Sequence, residues 1–247
     1  MLILLTNDDG IFAPGLDALR RAARELGEVH VVAPEGERSG ASHSFNLLQP
    51  VAVKEAYRDG EFLGHMVRGT PVDCVKVAVC VILGRKPDVI ISGVNNRPNF
   101  GISVLYSGTV GAAIEGALFG VHSIAVAVAE GPDRDFDYAA KVACDLARET
   151  VAHPRPKPVL LNVNVPGLPP AQIKGTKWIR HNVAPYTDSF RHVTSEGGWK
   201  HYQLQGNAGR REQAPSDDIH ALLDGYVTVT PLRIDFTDHD ELASRQG

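Results

Sequence analysis

The sequence contains few of the residues that hold small secreted proteins or zinc sites together. Its 247 residues include only three cysteines, Cys74, Cys80 and Cys144, and none of them forms a Cys-x-x-Cys pair. An odd number of unpaired cysteines indicates neither a disulfide framework nor a structural zinc site. We therefore expect three reduced, buried thiols.

Long apolar runs and basic clusters are also missing. No stretch approaches the roughly 18 apolar residues that a membrane-spanning helix needs, and the apolar start Met1–Leu5 soon meets Asp8 and Asp9, too early for a secretory signal. Lys and Arg number 25 against 29 Asp and Glu, which gives a net charge of −4. That balance does not favour binding to nucleic-acid duplexes or membranes. We expect a cytoplasmic protein with a small ligand.

Short β-rich runs alternate with segments of helical period over residues 1–165. Strands are predicted at Leu2–Thr6, Val29–Ala33, Asp88–Ser92, Ser123–Ala129 and Val159–Val163. Helices are predicted to begin near Pro14, Thr70, Ser107 and Phe136. This alternation predicts a Rossmann-like α/β core, in which helices cover both faces of a parallel sheet in three layers. A β-hairpin insertion is expected between Gln49 and Arg68, because Asp59-Gly60 separates two short strands there.

The second part of the chain departs from this alternation. Residues 166–215 contain many Gly, Pro, His and Asn residues around two strand-like pieces, Trp178–Val183 and Trp199–Gln205. Such a segment seldom packs on its own sheet, so we expect an extended β-arm for subunit contact. Residues 216–237 are predicted to return to the core as a short helix and a strand at Tyr226–Leu232. Residues 238–247 are polar and expected to form a disordered tail.

Three of the predicted strands end in polar residues at one edge of the sheet. They continue into Asp8-Asp9-Gly10, into a loop with Ser39-Gly40, and into Asn95-Asn96. Ligands of parallel sheets bind beyond the carboxyl ends of the strands. Two adjacent carboxylates in a turn repel each other, and a hard divalent cation such as magnesium, manganese or calcium removes the repulsion. The alternative is that Asp8 or Asp9 only caps the helix near Pro14.

The helix predicted to begin at Ser107 adds a complementary feature. The first N–H groups of a helix lack partners and carry partial positive charge, and Gly108 and Thr109 leave them accessible to a phosphate oxyanion. Alternatively, Ser107 is only a cap. An anion site beside a cation site indicates phosphoryl chemistry. The chain has no Gly-x-Gly-x-x-Gly after its first strand, no P-loop and no Gly-x-Ser-x-Gly elbow, which argues against dinucleotide oxidoreductases, P-loop NTPases and α/β-hydrolases.

Six ordered sequence blocks resemble the stationary-phase survival protein SurE family over nearly the whole chain. They are Thr6–Gly10, Pro34–Ser44, Gly69–Val75, Ser92–Asn95, Tyr106–Gly116 and Gly225–Leu232. The resemblance implies a metal-dependent phosphatase that hydrolyses nucleoside 5′- and 3′-monophosphates. It also implies a Rossmann-like core and a C-terminal arm exchanged between the subunits of a homodimer or homotetramer.

The resemblance further implies roles for particular residues. One divalent cation per subunit, Mg²⁺ or Mn²⁺, would be bound by Asp8, Asp9, Ser39 and Asn95. The phosphate group would lie against Gly40, Asn95, Ser107, Gly108 and Thr109. Asp8 and Asp9 are the expected catalytic residues, and Asp9 is also a candidate proton acceptor. Arg97 stands where the family usually has a glycine, which leaves the metal set intact but puts the substrate preference in question.

The reaction is expected to be an in-line attack of water on phosphorus, with a covalent aspartyl-phosphate route as the alternative. Two other interpretations remain open. One is a non-catalytic, metal-bound nucleotide sensor. The other is a haloacid-dehalogenase-like phosphatase, which needs carboxylates at positions i and i+2, whereas those after the first strand are adjacent.

Overall fold

The computed structural model describes residues 1–153, 155–185, 187–207 and 216–246. Its strands are β1 (Leu2–Thr6), β2 (Glu28–Pro34), β3 (Ala52–Arg58), β4 (Glu61–Arg68), β5 (Val89–Asn95), β6 (His122–Val128), β7 (Leu160–Val165), β8 (Thr176–Trp178), β9 (Thr187–Glu196), β10 (Trp199–Asn207) and β11 (Val227–Pro231). Its helices are α1 (Pro14–Ala23), α2 (Pro71–Val77), α3 (Gly108–Leu118), α4 (Phe136–Ala152), α5 (Asp218–Leu223) and α6 (His239–Gln246). A π-helical turn at Ala78–Ile82 extends α2.

Nine of the strands in the described ranges form one sheet, in the order β3-β4-β2-β1-β5-β6-β7-β11-β8. The central strands from β4 to β7 run parallel to one another, and β3 and β11 pair antiparallel with β4 and β7. The predicted α/β fold with a mostly parallel sheet is therefore confirmed. From β1 the following strands β2 to β4 are added on one side of the sheet, and from β5 the strands β6 and β7 are added on the other side. The strand order therefore reverses between β1 and β5, and a ligand crevice is expected beyond the carboxyl ends of these two strands.

Alternate residues of the central strands face two different cores. Ile3 and Leu5 of β1 pack into the cluster that includes α1 and α4, whereas Leu4 packs into the cluster that includes α2 and Ala112 of α3. All three β1 side chains are fully buried. A strand buried on both faces reads as a continuous apolar run, which is how Leu2–Thr6 appears in the sequence. The three layers are thus α1 and α4, the sheet, and α2 and α3.

The hairpin insertion is present where the sequence predicts it. Asp59 and Gly60 connect β3 to β4 with φ values of 51° and 84°. Positive φ at both central residues is typical of a type I′ turn, whose twist matches that of the flanking strands. Strand β4 then pairs parallel with β2, so the insertion extends one edge of the main sheet.

Residues 166–215, expected to form one arm, divide into two parts in the structure. The first part stays on the core, because β8 pairs parallel with β11. Of the strand predicted at Trp178–Val183, only Trp178 lies in a strand, as the last residue of β8. Further along the segment, Asn182 donates to Asp217 and Asp218 at the start of α5 instead of pairing with a strand. The second part is the β9–β10 hairpin, a separate two-stranded sheet. Tyr186 and residues 208–215 of the predicted arm lie outside the described residues.

The C-terminal residues differ from the expected disordered tail, because His239–Gln246 form α6. The signals are local: the Asp238 carboxylate accepts from the Glu241 N–H, and Glu241 pairs with Arg245 one turn later. Residue 247 of the predicted tail lies outside the described ranges.

The cysteine expectation holds for Cys74 and Cys144, which are buried and free, but Cys80 is exposed on the π-helical turn. No helix in the described part of the chain is long and apolar enough to cross a membrane.

Candidate active site

The turn after β1 is closed by its own side chains. Asn7 Nδ2 donates to the Gly10 carbonyl at 2.9 Å, and the Gly10 N–H donates to Asn7 Oδ1 at 3.1 Å. Gly10 has a φ of 102°, and a Cβ there would stand 3.0 Å from the Cα of Gly36. Only glycine meets both conditions without strain. This bend holds Asp8 and Asp9 at the carboxyl edge of the sheet.

Asp8 joins the acidic turn to the start of α3. Its side chain is buried, with 3% exposure, and Thr109 Oγ1 donates to Asp8 Oδ1 at 2.5 Å. A Cβ on Gly108 would lie 3.1 Å from Asp8 Oδ2, so a glycine there allows close approach. Burial raises the pKa of Asp8, and hydrogen bonds from the Thr109 side chain and backbone act in the opposite direction. One predicted metal residue, Asp8, and two predicted phosphate residues, Gly108 and Thr109, therefore meet here.

Asp9 is half-buried beside Asp8. Burial, and then the charge of Asp8, raise the pKa of Asp9 to about 6, while the Asn96 backbone N–H and Arg134 lower it. The negative charge of Glu37 raises the pKa of both aspartates. Glu37 is therefore a third carboxylate near the turn. Nothing in the sequence of the polar loop after β2 distinguishes Glu37 from a solvated glutamate, so its place in the site emerges only from the structure.

Ser39 and Gly40 reach the site through the loop that follows β2. The Arg38 N–H donates to the Asp8 carbonyl at 2.7 Å, which holds the loop against the end of β1. The exposed Ser39 hydroxyl donates to Glu37 Oε1 at 2.7 Å, so in this structure it contacts Glu37 rather than an aspartate. Gly40 has a φ of 74° and open space where a Cβ would stand.

Asn95 is the last residue of β5 and is buried at the edge of the sheet. Its Nδ2 donates to the Arg97 carbonyl at 2.6 Å, which leaves Oδ1 as an acceptor. The side chain of Arg97 lies on the rim, where its Nε is 3.2 Å from Glu130 Oε1. The neighbouring Asn96 contributes its backbone N–H to Asp9, a role that side-chain chemistry does not reveal from the sequence.

Ser107 is a helix cap, as one of the two sequence interpretations expects. Its hydroxyl oxygen accepts from the Val110 N–H at 3.1 Å. The cap places Gly108 and Thr109 in the first turn of α3, where the helix carries partial positive charge. The Asp8 carboxylate lies at this helix end in the structure.

The donor set suits a hard cation. In the described ranges, no group of three or more His, Cys, Asp or Glu side chains lies close enough to hold a metal. A cation at Asp8 and Asp9 would therefore also need neutral oxygens, which Ser39 and Asn95 can supply. Carboxylate, hydroxyl and amide oxygens are ligands that Mg²⁺ and Mn²⁺ prefer.

Comparison with known proteins identifies the family. The family model of survival protein SurE matches residues 3–188. The chain belongs to the SurE family. The 5′-nucleotidase SurE of Rhodopirellula baltica is 42% identical to it over 244 residues, covering 98% of this chain and 96% of the relative. The 5′-nucleotidase SurE of Laribacter hongkongensis is 43% identical over 248 residues, covering 98% and 97%.

The fold agrees with that of a SurE protein of known structure. The crystal structure of the SurE protein from Aquifex aeolicus superposes with a TM-score of 0.82 at 36% identity, covering 98% of this chain and 97% of that one. The resemblance recognised from the six sequence blocks is thus confirmed over nearly the full length of the chain.

Proposed function

We propose that the protein is a divalent-metal-dependent nucleotidase that hydrolyses nucleoside 5′- and 3′-monophosphates to nucleoside and phosphate. Its relatives named 5′-nucleotidase SurE support the substrate class. The observation that carries the proposal is the contact of Asp8 with Thr109, because it brings an acidic turn and a helix N-terminus together at one strand edge. The cytoplasmic location stays a prediction from the sequence.

Asp8, Asp9, Ser39 and Asn95 are the proposed ligands of one divalent cation. The raised pKa of each aspartate supports this assignment. Burial is the largest cause for both, the charge of Asp8 adds to it for Asp9 and the charge of Glu37 adds to it for both, and a cation would stabilise the ionised carboxylates in this environment. A bound divalent cation would lower the pKa of a water and take up charge from a phosphate oxygen.

The remaining residues are proposed to bind the phosphate and to move a proton. Gly40, Asn95, Ser107, Gly108 and Thr109 would surround the phosphate group, with the N-terminus of α3 stabilising its negative charge. Water attacks phosphorus, the bond from phosphorus to the nucleoside oxygen breaks, and the released nucleoside takes up a proton. Asp9 is also the candidate acceptor of the proton that the water loses.

The activity is tested with AMP, GMP and p-nitrophenyl phosphate in the presence of Mn²⁺ and then of a chelator. We expect phosphate release that the chelator abolishes and added Mn²⁺ restores. Asp8→Asn should lower turnover by about 10²-fold or more while the circular dichroism spectrum is unchanged. AMP binding without phosphate release would favour the sensor interpretation instead. Single-turnover hydrolysis in labelled water tests the route, since direct attack labels the first phosphate released and a new aspartyl adduct does not.

We also propose that the β9–β10 hairpin makes the subunit contact of a homodimer or homotetramer. Its residues pair with one another, and Phe190, Trp199 and Leu204 are exposed. An isolated two-stranded hairpin is marginally stable in water, and the exposed apolar side chains provide a surface for a partner. Phe190→Asp combined with Trp199→Asp should therefore lower the mass measured by light scattering. A monomeric wild-type protein would contradict this proposal.

A further inference from the structure

Arg134 lies beside the acidic centre on the segment between β6 and α4, and none of the roles above includes it. Its Nη1 donates to the carbonyl oxygen of Asn96 at 2.9 Å. The guanidinium carbon lies 5.4 Å from the centre of the Phe136 ring. Stacking on an aromatic ring and donation to a fixed carbonyl both restrict an arginine side chain. Arg134 is thus anchored to a backbone oxygen rather than to a carboxylate.

The residue that Arg134 holds is itself in contact with the acidic turn. The Asn96 backbone N–H lies close enough to the Asp9 carboxylate to lower its pKa, and the Asn96 carbonyl accepts from Arg134. On the preceding residue, Asn95 Nδ2 donates to the Arg97 carbonyl. The short segment after β5 is therefore held from both sides. Arg134 is thus hydrogen-bonded to the residue whose N–H acts on Asp9.

We infer that Arg134 is a positioning residue, which holds the Asn96 backbone and thereby orients the Asp9 carboxylate for a divalent cation. The inference rests on the proposed function, since Asp9 is one of the proposed ligands. Hydrogen-bond partners behind a metal ligand fix its orientation, and their loss typically weakens metal affinity about 10–100-fold.

The direction of the change in cation affinity distinguishes a positioning role of Arg134 from the effect of its charge alone. A positive guanidinium near a cation site repels the cation, so its removal by itself should tighten cation binding. Loss of a positioning contact should weaken cation binding, because Asp9 then samples orientations that do not bind. Arg134→Ala therefore has opposite expected effects under the two explanations.

Arg97 provides a matched control on the same rim. Its side chain pairs with Glu130, and both of these side chains are exposed. Its contact with Asn95 uses only the backbone carbonyl, so Arg97→Ala keeps that contact. The two alanine variants remove the same charge, but only Arg134→Ala removes a hydrogen bond to Asn96.

The experiment is calorimetric titration of Mn²⁺ into the metal-free wild type, Arg134→Ala, Arg134→Lys and Arg97→Ala, followed by kcat and KM for AMP at saturating Mn²⁺. We expect the Kd for Mn²⁺ to rise about 10-fold in Arg134→Ala. The Kd for Mn²⁺ of Arg134→Lys should lie between those of Arg134→Ala and the wild type, because the ammonium group can still donate a hydrogen bond. Arg97→Ala should resemble the wild type. The KM for AMP should change little in the two Arg134 variants.

Three results would overturn the inference. Mn²⁺ binding by Arg134→Ala that equals or exceeds that of the wild type would show that the contact does not orient Asp9. A rise in KM for AMP with an unchanged Kd for Mn²⁺ would show that Arg134 contacts the substrate instead. Equal losses in the two alanine variants would show that the hydrogen bond to Asn96, which only the Arg134 side chain makes, does not account for the weaker binding. A wild type that binds no Mn²⁺ overturns the proposed function as well, so the two failures are distinguishable. If Arg134→Ala does not fold, as measured by thermal unfolding in chelator, Arg134→Lys carries the same comparison.

Discussion

The Asp9 carboxylate destabilises the metal-free protein, because it is half-buried beside Asp8. Its pKa rises from 3.8 to about 6, mainly through burial and then through the charge of Asp8. A raised pKa means that the folded state disfavours the charged form. Asp9→Asn removes the charge and keeps the size of the side chain. We predict that this variant is more stable than the wild type without metal, although it loses hydrolysis.

The magnitude follows from the pKa. The difference between 3.8 and about 6 corresponds to about 3 kcal/mol. Because Asp9 is partly exposed, solvent screening reduces this to about 1–2 kcal/mol. For a protein of this size the Tm should rise by about 2–8 °C. The gain is complete above about pH 6 and disappears as the pH falls toward 3.8, where Asp9 is protonated in both the folded and the unfolded state.

The assay is thermal unfolding of the wild type and Asp9→Asn at about pH 7.5 and about pH 4.5, in chelator and in Mn²⁺. In chelator the Tm of the variant should exceed that of the wild type at the neutral pH. About one third of this difference should remain at the acidic pH, where Asp9 is mostly protonated in the folded state but still largely ionised in the unfolded state. In Mn²⁺ the order should reverse, because only the wild type gains the full binding free energy of the cation. Asp133→Asn, which changes an exposed aspartate, should show neither effect. A variant that melts at or below the wild type in neutral chelator would refute the reasoning.

Two further substitutions test how α3 holds the site. Thr109→Val removes the hydroxyl that donates to Asp8 at 2.5 Å, so the free energy of unfolding in denaturant should fall by about 1.5–3 kcal/mol. Thr109→Ser keeps a hydroxyl and should retain most of the stability. Equal losses in the two variants would contradict this role of the hydroxyl. Gly111→Ala would place a Cβ 2.3 Å from the Ser42 carbonyl oxygen, so the loop after β2 must move, with a loss of about 1–3 kcal/mol and of most activity. Gly36→Ala, with nothing within 4 Å of its Cβ, is the control and should retain activity.

Features that depend on a few consecutive residues follow from the sequence. The capping box of Thr70 and Asp73 forms at the start of α2 as its spacing predicts. Asp59-Gly60 forms the hairpin turn because both residues tolerate positive φ. The acidic turn is recognisable for the same reason, since Asp8, Asp9 and Gly10 are adjacent. Helix α6 also depends on contacts between neighbouring residues. The expectation of a disordered tail at residues 238–247 is wrong for His239–Gln246, because it considers only the polar composition.

Features that join distant parts of the chain were decided by the tertiary structure. Asp8 and Thr109 are 101 residues apart, and only the six shared blocks connect them before the fold is known. Glu37 and Arg134 carry no pattern that separates them from solvated charges, yet the chain brings both beside Asp9. The predicted strand Trp178–Val183 is wrong for a related reason. The position of β8 depends on its pairing with β11 at the edge of the sheet, which the local sequence does not indicate. Local conformation is set by propensity and steric limits within a few residues, whereas the charges around a site depend on how loops from separate strands close over the same edge.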